Sequence, residues 1–138
     1  MSRKSFFIAI MLLFCSIQNF AQTQIFGKWI SEDKKGVIEV FQQKAKYYGK
    51  IVWLKPDKDI PSTDTENPDK SKRSQPLLNL IILKDFDYKD REWKNGTVYD
   101  PGNGKTYVCT MKLIDDKTLR IRGYWGPFYR TEIWTRKE

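Results

Sequence analysis

From Gln22 onward no stretch of this chain sustains an apolar repeat of 3.6 residues, and what recurs instead is alternation. Tyr107, Cys109, Met111 and Leu113 form one apolar face, opposed by Thr106, Val108, Thr110 and Lys112. A period of two belongs to strands, because successive side chains leave a strand on opposite sides. Comparable runs extend over Ile25–Ile30, Val37–Gln42, Tyr47–Leu54, Leu77–Phe86, Trp93–Tyr99, Leu119–Arg122 and Phe128–Arg136. Between them stand charged or glycine-bearing turns, among them Asp33-Lys34-Lys35-Gly36, Asp115-Asp116-Lys117 and Gly123-Tyr124-Trp125-Gly126-Pro127. Gly49 and Asn95-Gly96 interrupt two of the runs, as bends or kinks in barrel strands do. Short links favour antiparallel neighbours, and about eight such strands close into a barrel that leaves no free edge. The expected fold is therefore all-β, an up-and-down antiparallel β-barrel of about eight strands. One connection breaks the pattern. Residues 55–76, after the third strand, are rich in Pro, Asp, Lys, Ser and Thr and poor in apolar side chains. A loop of that length in a compact domain is expected to be functional or mobile.

The first residues read differently. Arg3 and Lys4 precede an unbroken apolar run from Phe6 to Cys15, and a more polar approach leads to Ala21. That is the layout of a secretory signal peptide, with an apolar run shorter than the ~20 residues a spanning helix needs. The expected organisation is a signal peptide over 1–21 and one domain over 22–138, located in the periplasm or secreted. The competing lipoprotein reading anchors the chain at Cys15, where Phe14 is bulky for the preceding position. Cleavage after Ala21 lowers the formal net charge from +8 to +6 and leaves one cysteine, Cys109. An intrachain disulfide is then impossible, so the domain must be held by its core. The sequence has no histidine, which excludes His-based acid–base chemistry and the usual zinc or copper sites. A sequence pI near 9.5 would suit a nucleic-acid binder, but export points instead to anionic cell-envelope components. No transmembrane segment is expected in the mature chain.

The segment Tyr99–Tyr107 concentrates the polar chemistry. Its Gly104-Lys105-Thr106 ends like a phosphate-binding loop, but that motif needs a glycine at position 99 and a helix afterwards. Tyr99 and the strand pattern of Thr106–Leu113 exclude it, and a hairpin turn remains. If the long loop folds over the barrel mouth, Asp64, Asn67, Asp69 and Arg73 could meet Tyr99, Asp100, Lys105 and Tyr107 around a small ligand. Arg122 and Tyr124 complete the candidate ligand-binding set. The competing reading is turn chemistry, in which Asn67-Pro68-Asp69 and Asp100-Pro101-Gly102 bond their own backbone. Trp29, Trp53, Trp93 and Trp134 are expected in the core, with Tyr124 and Trp125 exposed in a turn. Cys109, between Tyr107 and Met111 on one face, reads as a buried, inert thiol. The pairs Asp57/Asp59 and Asp115/Asp116 fall in solvated loops, and Asp64, Glu66, Asn67 and Asp69 lack EF-hand spacing for calcium. No catalytic residue, metal or cofactor is assigned.

Two resemblances accompany these readings. Gly27-Lys28-Trp29 at the first strand, with an arginine near the end of the last, resembles the lipocalin arrangement. That resemblance implies a tryptophan closing one barrel end beneath a stacked arginine, with Arg136 the first choice of partner and Arg130 the second. Further along, Tyr48-Gly49-Lys50-Ile51, Asn67-Pro68-Asp69, Arg73 and Pro76-Leu77 appear in order. Gly96–Pro101, Gly104–Tyr107, Arg122-Gly123-Tyr124, Arg130-Thr131 and Trp134-Thr135-Arg136 follow. Together they resemble the domain of unknown function 2147 family of exported bacterial proteins. The chain departs from that pattern at Asn79, where the family commonly has glycine, and at a shortened Gly126-Pro127-Phe128-Tyr129. The resemblance implies a lipocalin-like barrel and no activity. The functional expectation is a non-catalytic binder of a small polar or apolar ligand, the alternative a cell-envelope interaction or structural protein using an aromatic and basic surface.

Overall fold

A computed structural model describes residues 21–138. The signal-peptide assignment and Cys15 fall almost wholly on residues 1–20, outside the described residues. Eight strands follow one another: β1 (Gly27–Ile30), β2 (Gly36–Gln43), β3 (Lys46–Leu54), β4 (Ile81–Lys89), β5 (Glu92–Asp100), β6 (Lys105–Asp115), β7 (Thr118–Trp125) and β8 (Phe128–Arg136). Each pairs antiparallel with the next, and β1 pairs with β8 through Trp29↔Arg136 and Ile30↔Thr135, closing the barrel. The expected architecture is therefore the one observed. β4 begins four residues later than its sequence pattern, because Leu77–Leu80 belong to the end of the loop.

The alternating apolar face fills the interior. Trp29, Val40, Leu83, Phe86, Trp93, Cys109, Met111, Leu119 and Trp134 are buried in one cluster. Two glycines make room for it. A side chain on Gly49 would come within 2.6 Å of Leu83, and one on Gly96 would overlap the Phe86 ring. Burying large rings against bare backbone recovers apolar area at ~25 cal/mol per Å² without a disulfide.

The closed end is built around Trp29. Its indole Nε1 donates to the carbonyl of Ile25 at 2.9 Å, and the Arg136 guanidinium lies 4.2 Å over its ring centroid. Arg136 also donates to the carbonyls of Phe26 (2.9 Å), Asp116 (2.6 Å) and Gln24. The stacked arginine implied by the lipocalin resemblance is thus Arg136, and it ties the segment before β1 to the last strand. The other end carries the β1–β2 turn, the long loop, the β5–β6 turn and the β7–β8 turn.

One tryptophan departs from its expected place. Trp53 was expected in the core and is 42% exposed. The pairing of β2 with β3 steps from Ile38↔Ile51 to Val37↔Trp53, so Val52 is an extra residue, a β-bulge. The bulge reverses the alternation, turning Trp53 out and Leu54 in against the core.

Candidate functional site

The long loop is ordered by its own side chains. Thr63 bridges to Pro76, and the amides of Asp64 and Leu77 donate to the carbonyls of Gln75 and Ser62. Asp69 caps a single 3-10 turn, Lys70–Lys72, accepting from the Ser71 amide at 3.0 Å. Arg73 Nε donates to the Asn67 carbonyl at 2.7 Å. Asn79 adopts φ 68°, a left-handed conformation that asparagine tolerates and glycine prefers, and its amide bonds Ile51. That conformation explains how the chain accommodates asparagine where the resembling family has glycine.

A cluster of side chains clasps the middle of the loop to the barrel. The Asp64 side chain is fully buried and accepts three hydrogen bonds: from Tyr99 Oη (2.6 Å), Asn67 Nδ2 (2.7 Å) and Gln75 Nε2 (2.9 Å). Burial works against its charge, but the three donors outweigh burial and hold the carboxyl below its ordinary range. Burial and the Asp64 contact push the Tyr99 hydroxyl well above the ordinary tyrosine range, so it stays protonated and donates. Beside this clasp, Gly104 adopts φ 72°, and a side chain there would overlap the Glu66 carbonyl oxygen. Two sequence-distant segments therefore meet, Asp64–Pro68 of the loop and Tyr99–Gly104 of the β5–β6 turn.

They meet on the outside of the barrel. Leu83 pairs with Val98, and Leu83 fills the interior beside Gly49, so Val98 faces in and Tyr99 faces out. Ile82 of β4 and Leu77 of the loop are buried as well. At Asp64 and Tyr99 the loop therefore lies against the outer face of β5. Tyr107 pairs with Val98 and faces the interior, so the sheet separates it from Tyr99. Its hydroxyl accepts from Asn103 Nδ2 at 3.0 Å. Asp100 accepts from the Gly102 amide at 2.8 Å, and Lys105 is exposed. Arg122 and Tyr124 stand on the outer face two strands away, Arg122 bonded to Thr131 Oγ1 (3.0 Å) and stacked on Tyr129 at 4.5 Å. The ten candidate residues therefore divide into a loop clasp, a turn and an aromatic outer face. Gln75, the third donor to Asp64, carried no sequence signal beyond lying in the loop.

A groove of about 550 Å³ opens between the end of β3 and the arch of the loop. Trp53, Leu54, Pro56, Ile60, Pro76 and Leu78 line it, with Lys55, Asp57, Ser62 and Thr63 completing its wall. Leu78 is 50% exposed. None of the apolar lining was among the candidate residues, because the bulge that turns Trp53 outward leaves no mark on the sequence.

The remaining chemistry is quiet. Burial pushes the Cys109 thiol up to about 12. The Asp57 and Asp115 carboxylates accept from backbone amides two residues on, at 2.9 Å each. No three metal-ligating His, Cys, Asp or Glu side chains cluster among the described residues, and no helix there is long and apolar enough to cross a membrane.

The family described as "Uncharacterized protein conserved in bacteria (DUF2147)" matches residues 27–136. The solved structure of HP1028 from Helicobacter pylori, described as belonging to the lipocalin family, superposes with a TM-score of 0.72. It is 21% identical to this chain, and the match covers 83% of each. No curated protein sequence matches the chain.

Proposed function

Because this chain belongs to the bacterial DUF2147 family, we propose that it is an exported, non-catalytic barrel that binds a small apolar molecule in the groove beside β3. The groove supports this reading most directly. Its volume of about 550 Å³ lies within the 300–1,000 Å³ typical of small-molecule sites, and its walls are mainly apolar with a few polar groups. An outward Trp53 and a half-exposed Leu78 leave a wet apolar surface that a ligand would cover. The clasp between Asp64 and Tyr99 holds the loop wall in place before any ligand arrives, which lowers the ordering cost of binding. The clasp groups are occupied with one another, so the ligand meets the apolar wall and not Asp64. Export follows from the N-terminal pattern of Arg3, Lys4 and the apolar run to Cys15.

The test is titration of the folded protein with the apolar probe N-phenyl-1-naphthylamine. Saturable one-to-one binding is expected, lost in Leu78→Glu, which places a carboxylate in the groove. Absence of saturable binding, or equal binding by Leu78→Glu, would overturn the reading.

A further inference from the structure

The β7–β8 hairpin carries a second surface that the groove does not use. Its tip, Arg122–Arg130, holds four aromatic residues, two arginines and no acid. Trp125 is 71% exposed, Phe128 65% and Tyr129 61%. A two-residue turn, Gly126-Pro127, joins the strands; Gly126 has φ 55° and open space around it. The tip therefore projects from the barrel end.

The register distributes these side chains between two faces. Tyr124 pairs with Tyr129 on the outer face, and Trp125 pairs with Phe128 on the face that continues the barrel interior. The rings within each pair lie 6.1 and 6.0 Å apart. Each face also carries one arginine, two residues behind its aromatic pair: Arg122 behind Tyr124 and Arg130 behind Phe128. Both sides of the hairpin thus repeat one order, aromatic at the tip and cationic behind it. At ~3.3 Å per residue the cations stand about 7 Å behind the rings. A flat protein partner would cover one face and leave the other wet. A bilayer interface surrounds a tip that enters it, burying apolar groups ~5–10 Å deep with phosphates above them. Tryptophan and tyrosine are enriched at that depth, and arginine meets anionic headgroups.

We propose that the β7–β8 hairpin docks the protein on an anionic phospholipid surface, with Trp125 and Phe128 entering the interface and Arg122 and Arg130 meeting the phosphates. Arg122 is already oriented for this role. Its Nε bonds Thr131 and its plane lies on the Tyr129 ring, which fixes the guanidinium beside the tip. Arg130 lies near Glu132 only at 4.0 Å and is otherwise open to solvent.

The full folded protein is tested by co-sedimentation with large vesicles of equimolar phosphatidylglycerol and phosphatidylcholine, against vesicles of phosphatidylcholine alone. Binding is expected on the anionic vesicles, weakening as salt rises. The double variant Trp125→Ser/Phe128→Ser should lose at least about tenfold in partition, since it removes both rings from the interface. Arg130→Gln should lose about fivefold on anionic vesicles only. Brominated acyl chains should quench tryptophan fluorescence in the parent and much less in the double variant. Ile114→Ser, which removes an exposed apolar side chain beside the β6–β7 turn at the opposite end, should sediment like the parent. Unchanged melting temperatures establish that the variants fold. Equal sedimentation of parent and double variant would overturn the proposal. So would absence of binding to anionic vesicles, or a concentration-dependent dimer that the double variant abolishes without any vesicle binding.

Discussion

The clasp between the long loop and the barrel allows a quantitative prediction. Tyr99→Phe removes one oxygen and leaves the Asp64 carboxylate buried with two of its three donors. A hydrogen bond to a charged group contributes about 1.5–3 kcal/mol, so urea unfolding at neutral pH should show a loss of about 2 kcal/mol. For a domain of this size that is a fall of roughly 6–10 °C in melting temperature. The loop offers a local readout, because Lys70, Lys72 and Arg73 are exposed trypsin sites behind the clasp. A shift of about 2 kcal/mol in the opening equilibrium raises cleavage there roughly 30-fold. The pH dependence has a defined sign. The folded Asp64 carboxyl is held below its ordinary value of 3.8, so its contribution is present above about pH 4. That contribution is lost as pH falls through the depressed folded value. The difference between parent and Tyr99→Phe should therefore be full at neutral pH and shrink below about pH 4. A loss under about 0.5 kcal/mol with unchanged cleavage would refute the clasp as the attachment of the loop. An undiminished loss in acid would refute the ionised state of Asp64.

Gly104→Ala should cost at least about 2 kcal/mol, because φ is positive and the new methyl meets the Glu66 carbonyl. Gly126→Ala, also at positive φ but in open space, should cost only about 1 kcal/mol, and urea unfolding of the two variants separates them. Arg136→Lys retains the charge but loses the planar fork that serves three carbonyls and the Trp29 ring. It should cost about 2–4 kcal/mol in the same assay. The Cys109 thiol, raised to about 12, is almost wholly protonated at pH 8, and disulfide reagents should label it only as fast as the barrel opens. Labelling of the native protein at the rate of a free thiol would contradict that placement.

What the sequence made legible was whatever rests on period and on local turn chemistry. Alternation at Tyr107–Leu113 placed Cys109 and Met111 in the core, and Asp100 followed from the needs of a turn. The Trp29–Arg136 contact was accessible only through resemblance, since nothing in composition relates residues so far apart. Two features escaped for identifiable physical reasons. A β-bulge at Val52 inverts the facing of Trp53 and Leu54, and one inserted residue looks like any other in a two-residue period. Tyr99 and Tyr107, eight residues apart in one hairpin, looked like neighbours in a site. The turn between them holds four residues, so they occupy adjacent strands one register step apart and face opposite ways. The groove was illegible for a related reason, because its walls come from a bulge and from a loop held by contacts between residues far apart in sequence, Asp64 with Tyr99 among them.

The contact that closes the barrel also sets an order in time. Arg136 holds the carbonyl of Phe26 across 110 residues, and the β1–β8 pairing is among the most non-local in the fold. Each of the other seven strand pairs joins consecutive strands and can form as soon as a hairpin is available. Trp29 must wait until residue 136 has appeared, whether the chain emerges from a ribosome or from a translocation channel. Until then the apolar inner face stands open along one seam and the edges of β1 and β8 are unpaired, the state in which a β-protein is most prone to aggregate. Placing four interactions on a single arginine makes that last step cooperative: one side chain stacks on the indole and binds three carbonyls as the seam shuts.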